Sequence, residues 1–336
     1  MDGATRVTTV DYHTAGEPFR IVLDGVPDIE GSTILARRET ASHDPAIDRV
    51  RELLVREPRG HADMYGCFLA PPDDDGADLG VLFWHKDGYS TACGHGTIAL
   101  GAWAVRSGRV PSEPNGTTDV VIDVPSGRVT ARVTTVDGVV TRVAFRNVGA
   151  RVIGRDIQVE TSRGPLTVDI SDGGAIYASL PAASASLAVT PEHHDDLVAL
   201  GRQIKWALND TPWAAHPRDP RLSGIYGTIW YDDLGTGPGG ALHQRNVTVF
   251  ADGEVDRSPC GSGTSARLAL LVDEGRIGAG QTMLHDSIIG SRFEGRVLRV
   301  RDDVVMTEIE GQAFETARST FVLDPDDPLG TGFLLR

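Results

Sequence analysis

Apolar and polar positions alternate over short stretches through most of this chain, and helical spacing appears in only a few places. Residues 6–11 and 19–23 read as strands flanking the turn His13-Thr14-Ala15-Gly16-Glu17-Pro18. Within 45–56, Ile47, Val50, Leu53 and Leu54 fall at helical spacing and predict a helix. Residues 79–84 form a further strand pattern leading into a cysteine-bearing, glycine-rich stretch. Beyond it, Ile98, Leu100, Ala102, Trp103 and Val105 predict a helix ending at Gly108. Leu268, Ala269, Leu271 and Val272 predict a second, ending at Gly275, where a left-handed cap is expected. Hairpin signals follow each helix: Gly127-Arg128-Val129 with Asp137-Gly138-Val139-Val140, and Gly295-Arg296-Val297 with Asp302-Asp303-Val304-Val305. These turns imply antiparallel strands rather than a parallel, doubly wound sheet.

The two helix signals belong to a repeat. Thr91-Ala92-Cys93-Gly94-His95-Gly96-Thr97 and Ser258-Pro259-Cys260-Gly261-Ser262-Gly263-Thr264 lie 167 positions apart, and 9 of the 17 residues from Cys93 to Arg109 are identical to their counterparts. Chance predicts roughly one or two. A duplicated unit follows, and with it an α+β fold of two similar, pseudo-symmetric domains with the active site in the cleft between them. The boundary is expected near 152–160. A length of 336 residues suits two domains.

Composition narrows the function. A net charge of -15 argues against nucleic acid or an anionic membrane surface as partner. Runs such as Asp73-Asp74-Asp75 and Asp324-Pro325-Asp326-Asp327 read as solvated loops. No apolar run approaches the roughly 18 residues of a spanning helix. The start, Met1-Asp2-Gly3-Ala4-Thr5-Arg6, has no leader pattern, so a cytoplasmic protein is expected. Three cysteines make no disulfide framework, and a reducing compartment keeps them as thiols. The loop Gly235-Thr236-Gly237-Pro238-Gly239-Gly240 lacks the Lys-Ser/Thr ending of a phosphate cradle and reads as a flexible excursion.

Chemistry concentrates at the two motif cysteines. Each precedes a helix, whose unpaired N–H groups and dipole favour negative charge. The thiols are therefore expected to have pKa values lowered towards neutrality. Gly94-His95 and Gly261-Ser262 can present N–H donors to a substrate carboxylate, since glycine allows close approach. One thiolate can then take an α-proton while the other thiol returns one to the opposite face. Cys67, between Gly66 and Phe68, reads as a core residue. No zinc site is expected, because neither motif has Cys-x-x-Cys spacing and the nearby histidines make no ligand set. Cys–His nucleophilic catalysis with His95 stays open, although it gives the second thiol no role. A non-catalytic carboxylate binder also stays open.

The ordered motifs resemble the proline racemase family, which includes hydroxyproline 2-epimerases and trans-3-hydroxyproline dehydratases and shares its fold with diaminopimelate epimerase. They run from Asp11-Tyr12-His13-Thr14-Ala15-Gly16-Glu17 through Pro58-Arg59-Gly60-His61-Ala62-Asp63-Met64-Tyr65-Gly66 to both cysteine motifs and Phe321-Val322-Leu323-Asp324-Pro325. The resemblance implies a small amino-acid substrate, no cofactor such as PLP, and a C-terminal segment returning to the first domain. The domains are then 1–155 plus 316–336, and 156–315. It makes Cys93 and Cys260 the acid/bases, places Gly94, His95, Gly261 and Ser262 at the carboxylate and its surroundings, and puts Asp256 at the ring nitrogen. A cap on the following turn is the alternative for Asp256. Arg59 and His61 belong to a family motif for which a structural role is at least as natural. A homodimer is compatible with the sequence.

Within the family the motifs are mixed. Two cysteines match the racemase and epimerase pattern, whereas dehydratases usually carry threonine at the second position. Gly88-Tyr89-Ser90-Thr91, Ile225-Tyr226-Gly227-Thr228-Ile229 and Gly261-Ser262-Gly263 look closer to the dehydratases, and the histidine that hydroxyproline epimerases tend to have around 226–228 is not there. The thiol at 260 favours racemisation or 2-epimerisation of proline, hydroxyproline or a related cyclic amino acid. Dehydration of trans-3-hydroxyproline is the alternative.

Overall fold

The computed structural model describes residues 5–335, so the leader pattern sought at the N-terminus falls largely on residues 1–4, outside the described residues. The chain divides into two compact units. The first is Met1–Thr91, Gly96–Val143 and Gln312–Arg336; the second is Ala92–His95 and Ala144–Gly311.

In the first unit, strand Thr5–Thr14 pairs antiparallel with Glu17–Asp24 across the two-residue turn Ala15-Gly16, both at positive φ. Glu17–Asp24 pairs parallel with Gly66–Ala70, which runs antiparallel to Leu79–His85. Leu79–His85 then pairs antiparallel with the short Gly88–Tyr89 and parallel with Gly116–Val124, itself antiparallel to Gly127–Val136. The second unit repeats this order. Gly164–Asp172 is antiparallel to Ile176–Pro181, which is parallel to Ile225–Thr236, in turn antiparallel to Leu242–Phe250. Leu242–Phe250 pairs antiparallel with Glu254–Asp256 and parallel with Thr282–Ser287, which is antiparallel to Arg292–Arg301. The duplication thus extends far beyond the 17-residue match.

The antiparallel expectation holds for most pairings, but each unit also has two parallel ones. A parallel pair needs a long crossover, which a helix usually fills. Helices Ile34–His43 and Pro45–Val55 lie in the first crossover of unit one, and His194–Asn209 in that of unit two. The second crossovers carry the motif helices, Gly94–Arg106 and Gly261–Asp273. Both motif helices have 13 residues and start directly after their cysteine. Gly108 and Gly275 sit two residues past their ends at φ +70° and +68°, as expected of left-handed caps.

The helix Pro45–Val55 buries Ile47, Val50, Leu53 and Leu54 against Phe68, Leu82 and Trp84. In unit two, His194–Asn209 buries Leu197, Leu200, Ile204 and Leu208 in a core with Trp230, Val247 and Val249. Each such side chain contributes about 1.5–3 kcal/mol. The sequence reading passed over this helix, although those four residues lie on one helical face. Space is shared differently in the two copies. A Cβ on Gly101 would come within 2.6 Å of Ala131, whereas the residue 167 further on is Leu268, which packs over Gly295. Exchange of bulk between helix and strand lets the copies diverge while their packing is kept.

Cys67 is fully buried in Gly66–Ala70, as expected, and burial pushes its thiol pKa well up. Strand Ala313–Leu323 pairs with Thr5–Thr14, so the C-terminal segment does return to the first unit. Arg59 holds it there, donating to Val322 O, Gly330 O and Asp327 Oδ2. That gives Arg59 a structural role. The loop 235–240 is the tip of a hairpin, with one 3-10 turn, Pro238–Gly240, and leads into strand Leu242–Phe250 rather than an α-helix. No helix among the described residues is long and apolar enough to cross a membrane.

Candidate active site

All seven candidate residues belong to the second unit, because Ala92–His95 groups with it while the chain on either side does not. The two motif starts meet backbone to backbone. A Cβ added at Gly94 would lie 2.5 Å from Gly261 Cα and 2.7 Å from Ser262 N. One added at Gly261 would lie 2.7 Å from Gly94 Cα. The glycines are therefore required by backbone contact, a reason independent of any ligand. Gly94→Ala should destabilise the protein by about 1–3 kcal/mol, since backbone cannot give way cheaply. A lower urea midpoint would register this, and an unchanged midpoint would contradict so tight an apposition.

Around this contact the polar groups converge. Cys93 Sγ lies 3.5 Å from both ring nitrogens of His95. His95 Nδ1 is 3.8 Å from Asp256 Oδ2, too far for a hydrogen bond. Asp256, at the end of Glu254–Asp256, accepts from Ser258 N at 2.8 Å, and Ser258 Oγ accepts from Cys260 N at 3.1 Å. The turn cap named as the alternative for Asp256 therefore exists, but Oδ2 still faces His95. Cys260 itself has φ +60° and ψ 104°. For a residue with a Cβ this conformation costs about 1–3 kcal/mol and calls for support from its surroundings.

Burial sets the charge states. Cys93, His95, Asp256 and Cys260 are all at most 5% exposed. Burial, aided by the charge of Arg257, depresses His95 to about 3, so its ring is neutral. Burial raises Asp256 to about 6 against the opposing hydrogen bonds from Ser258 and the charge of Arg257. It is an anion at neutral pH. Cys260 was expected to be lowered by its helix start. Instead, burial and then the Asp256 charge push it up to about 12, outweighing the N–H of Gly263 and the Tyr177 hydroxyl. The helix-end effect is worth a few tenths to about 2 kcal/mol, too little to offset desolvation next to an anion. Cys260 thus rests as a thiol, the form that gives a proton.

One contributor escaped sequence reasoning. Tyr177, on Ile176–Pro181, has its hydroxyl 2.7 Å from Ser262 Oγ and 3.7 Å from Cys260 Sγ. Its ring meets Tyr226 edge-on, and Tyr226 stacks on Phe250. No local pattern marks Tyr177, because its partners lie 83 and 85 positions away.

This arrangement can bind a cation at Asp256, hold an anion at two helix starts and donate a proton from a thiol. Comparison with known proteins places it. The model of the proline racemase family matches residues 9–334, and the chain belongs to that family. It is an enzyme of a group that comprises racemases, epimerases and dehydratases. It is 40% identical over 335 residues to a trans-3-hydroxy-L-proline dehydratase of Colwellia psychrerythraea, covering 98% of this chain and 93% of the relative. It is 42% identical over 337 residues to a 3-hydroxyproline 2-epimerase of Burkholderia multivorans, covering 98% of each. Among solved structures, a hydroxyproline epimerase from Agrobacterium vitis with bound trans-4-hydroxy-L-proline superposes with a TM-score of 0.89 at 31% identity, over 98% of this chain and 96% of that one. The expected α+β fold of two similar domains is thereby established.

Proposed function

We propose that this enzyme is a cofactor-independent racemase or 2-epimerase of proline, hydroxyproline or a related cyclic amino acid, acting through two thiols. The observation that carries the reading is the pair of thiols, Cys93 and Cys260, each directly before a motif helix whose starts meet backbone to backbone, with Asp256 beside them. In one direction Cys93, as thiolate, removes the α-proton, and Cys260 donates its S–H proton to the other face of the resulting carbanion. Each turnover leaves the pair in the opposite protonation state. The reverse direction starts from that state. Helix-start N–H groups of Gly94, His95, Gly261 and Ser262 take the substrate carboxylate and the charge that develops on it. Asp256 takes the ring nitrogen.

The cationic ring nitrogen has a second effect. Part of the upward shift at Cys260 comes from the Asp256 charge. A cation paired with Asp256 offsets that charge and eases Cys260 towards the thiolate it needs as a base in the reverse direction. Free thiols suit a reducing compartment, and we place the enzyme in the cytoplasm on that ground.

Dehydration of trans-3-hydroxy-L-proline is the second reading, favoured by the Colwellia relative at 40% identity. The two separate cleanly in deuterated water. Inversion incorporates deuterium at Cα and generates the opposite configuration. Dehydration yields a cyclic imine, which borohydride reduces to proline. If no proline derivative exchanges its α-hydrogen and none is dehydrated, both readings fail and a carboxylate binder remains.

A further inference from the structure

The strained conformation of Cys260 is held by side chains that no catalytic role accounts for. Its carbonyl accepts from Thr264 Oγ1 at 2.8 Å and from Thr264 N at 2.7 Å. The preceding carbonyl, of Pro259, accepts from Asn246 Nδ2 at 2.8 Å. Both supporting residues meet His285: Thr264 Oγ1 lies 2.8 Å from its Nδ1, and Asn246 Nδ2 contacts both ring nitrogens, Nε2 closely and Nδ1 at 3.0 Å. His285, Asn246 and Thr264 are fully buried.

Proton counting at Thr264 favours one assignment. The single Thr264 hydroxyl proton goes to Cys260 O, so Thr264 Oγ1 must accept from His285 Nδ1–H. Asn246 Nδ2 donates to Pro259 O and packs against the ring, nearer Nε2 than Nδ1, which suits an unprotonated Nε2. An Nε2–H tautomer would set two donors against each other, as would a doubly protonated ring. Burial and the charge of Arg267 depress His285 to about 3, which keeps the ring neutral throughout the working range.

We infer that His285 is a positioning residue for Cys260, clamping through Thr264 and Asn246 the two carbonyls that frame the thiol and so holding it in its buried, positive-φ conformation. The inference rests on the reading of Cys260 as an acid/base. It reaches across the unit, from strand Thr282–Ser287 and strand Leu242–Phe250 to the start of the motif helix.

The chain carries its own reporters, since Cys67, Cys93 and Cys260 are all buried free thiols. His285→Phe keeps an aromatic ring, though a larger one, and removes its hydrogen bonds, so the smaller change Thr264→Val controls for bulk. Cys260 should then relax towards water, losing the desolvation that dominates its pKa. Its alkylation by iodoacetamide, followed by peptide mass spectrometry, should accelerate about tenfold or more, one power of ten per pKa unit of released thiolate. Cys93 and Cys67 should keep their wild-type rates. Inversion should meanwhile lose about 10²-fold in kcat, the usual result of displacing a reacting group by about 1 Å, with pyrrole-2-carboxylate still bound.

His285→Asn, which places an amide N–H near the Nδ1 position, should restore most of both properties. Thr264→Val should reproduce the phenylalanine variant, and combining the two should add little. Unchanged Cys260 alkylation in both His285→Phe and Thr264→Val would overturn the inference, as would equal acceleration at all three cysteines, which marks general loosening. Should the wild-type enzyme invert no proline derivative, the functional reading falls, while the alkylation pattern still decides the role of His285.

Discussion

Cys260→Ser should cut inversion roughly 10³-fold while leaving any dehydration of trans-3-hydroxyproline largely intact, the loss being that of one general acid/base. A hydroxyl is a far weaker acid than a thiol, so serine keeps the shape of the side chain but cannot supply the proton in time. Elimination needs one base for the α-proton, and Cys93 remains. The comparison uses one variant and two assays: chiral chromatography for inversion, and borohydride reduction to proline for the imine. Full inversion by the serine variant would exclude Cys260 as the second acid/base. Loss of both activities would assign it a part in substrate binding instead. Cys93→Ser provides the control, since either reaction stops without the first base.

Asp256→Asn should make the protein more stable and the enzyme worse. Burial raises the Asp256 carboxyl from 3.8 to about 6, so the folded state holds this proton more tightly than the unfolded chain does. The stability contributed by that proton is complete below about pH 4 and is lost as pH rises through about 6. At pH 8 the cost of carrying the buried charge is of order 3 kcal/mol. Asparagine removes the charge and keeps an oxygen for Ser258 N. The variant should therefore show a higher urea midpoint than its parent at pH 8, with the two curves converging near pH 4. A variant equally destabilised at every pH would mean that the carboxylate serves as a turn cap alone.

Catalysis should move the other way. If Asp256 holds the cationic ring nitrogen, kcat/KM in the asparagine variant should fall about 10–100-fold, the worth of a charged hydrogen bond. In the parent, activity should decline as pH drops through about 6, because the carboxylate takes up its proton. Both shifts belong to a common pattern in which a site stores instability for use on a ligand.

Much of this protein is legible in its sequence. The cysteine repeat alone announces the duplicated fold, because a helix start needs the same glycines wherever it must approach another backbone closely. Gly108 and Gly275 end their helices as read, since left-handed caps are local events. Family membership also follows from the order of the motifs. Less visible were the parallel pairings, which depend on what a crossover brings back to the sheet, and the helix His194–Asn209, whose apolar face was passed over.

The site was legible as a set of residues but not as a set of charges. Cys93 and Cys260 stand out by their repeat, and Asp256 by the resemblance to the family. Their protonation could not be read, because desolvation depends on what covers a group, and the cover comes from distant segments. The local rule that a helix start lowers a thiol pKa lost at Cys260 to burial and Asp256. Tyr177 and His285 reach the second motif only through folding. The sequence by itself determined which side chains are the candidates and on which elements they stand, since these follow from covalent order and short-range geometry. Tertiary structure alone decided how each is charged and what holds it in place, since burial and long-range hydrogen bonds arise only when the chain closes on itself.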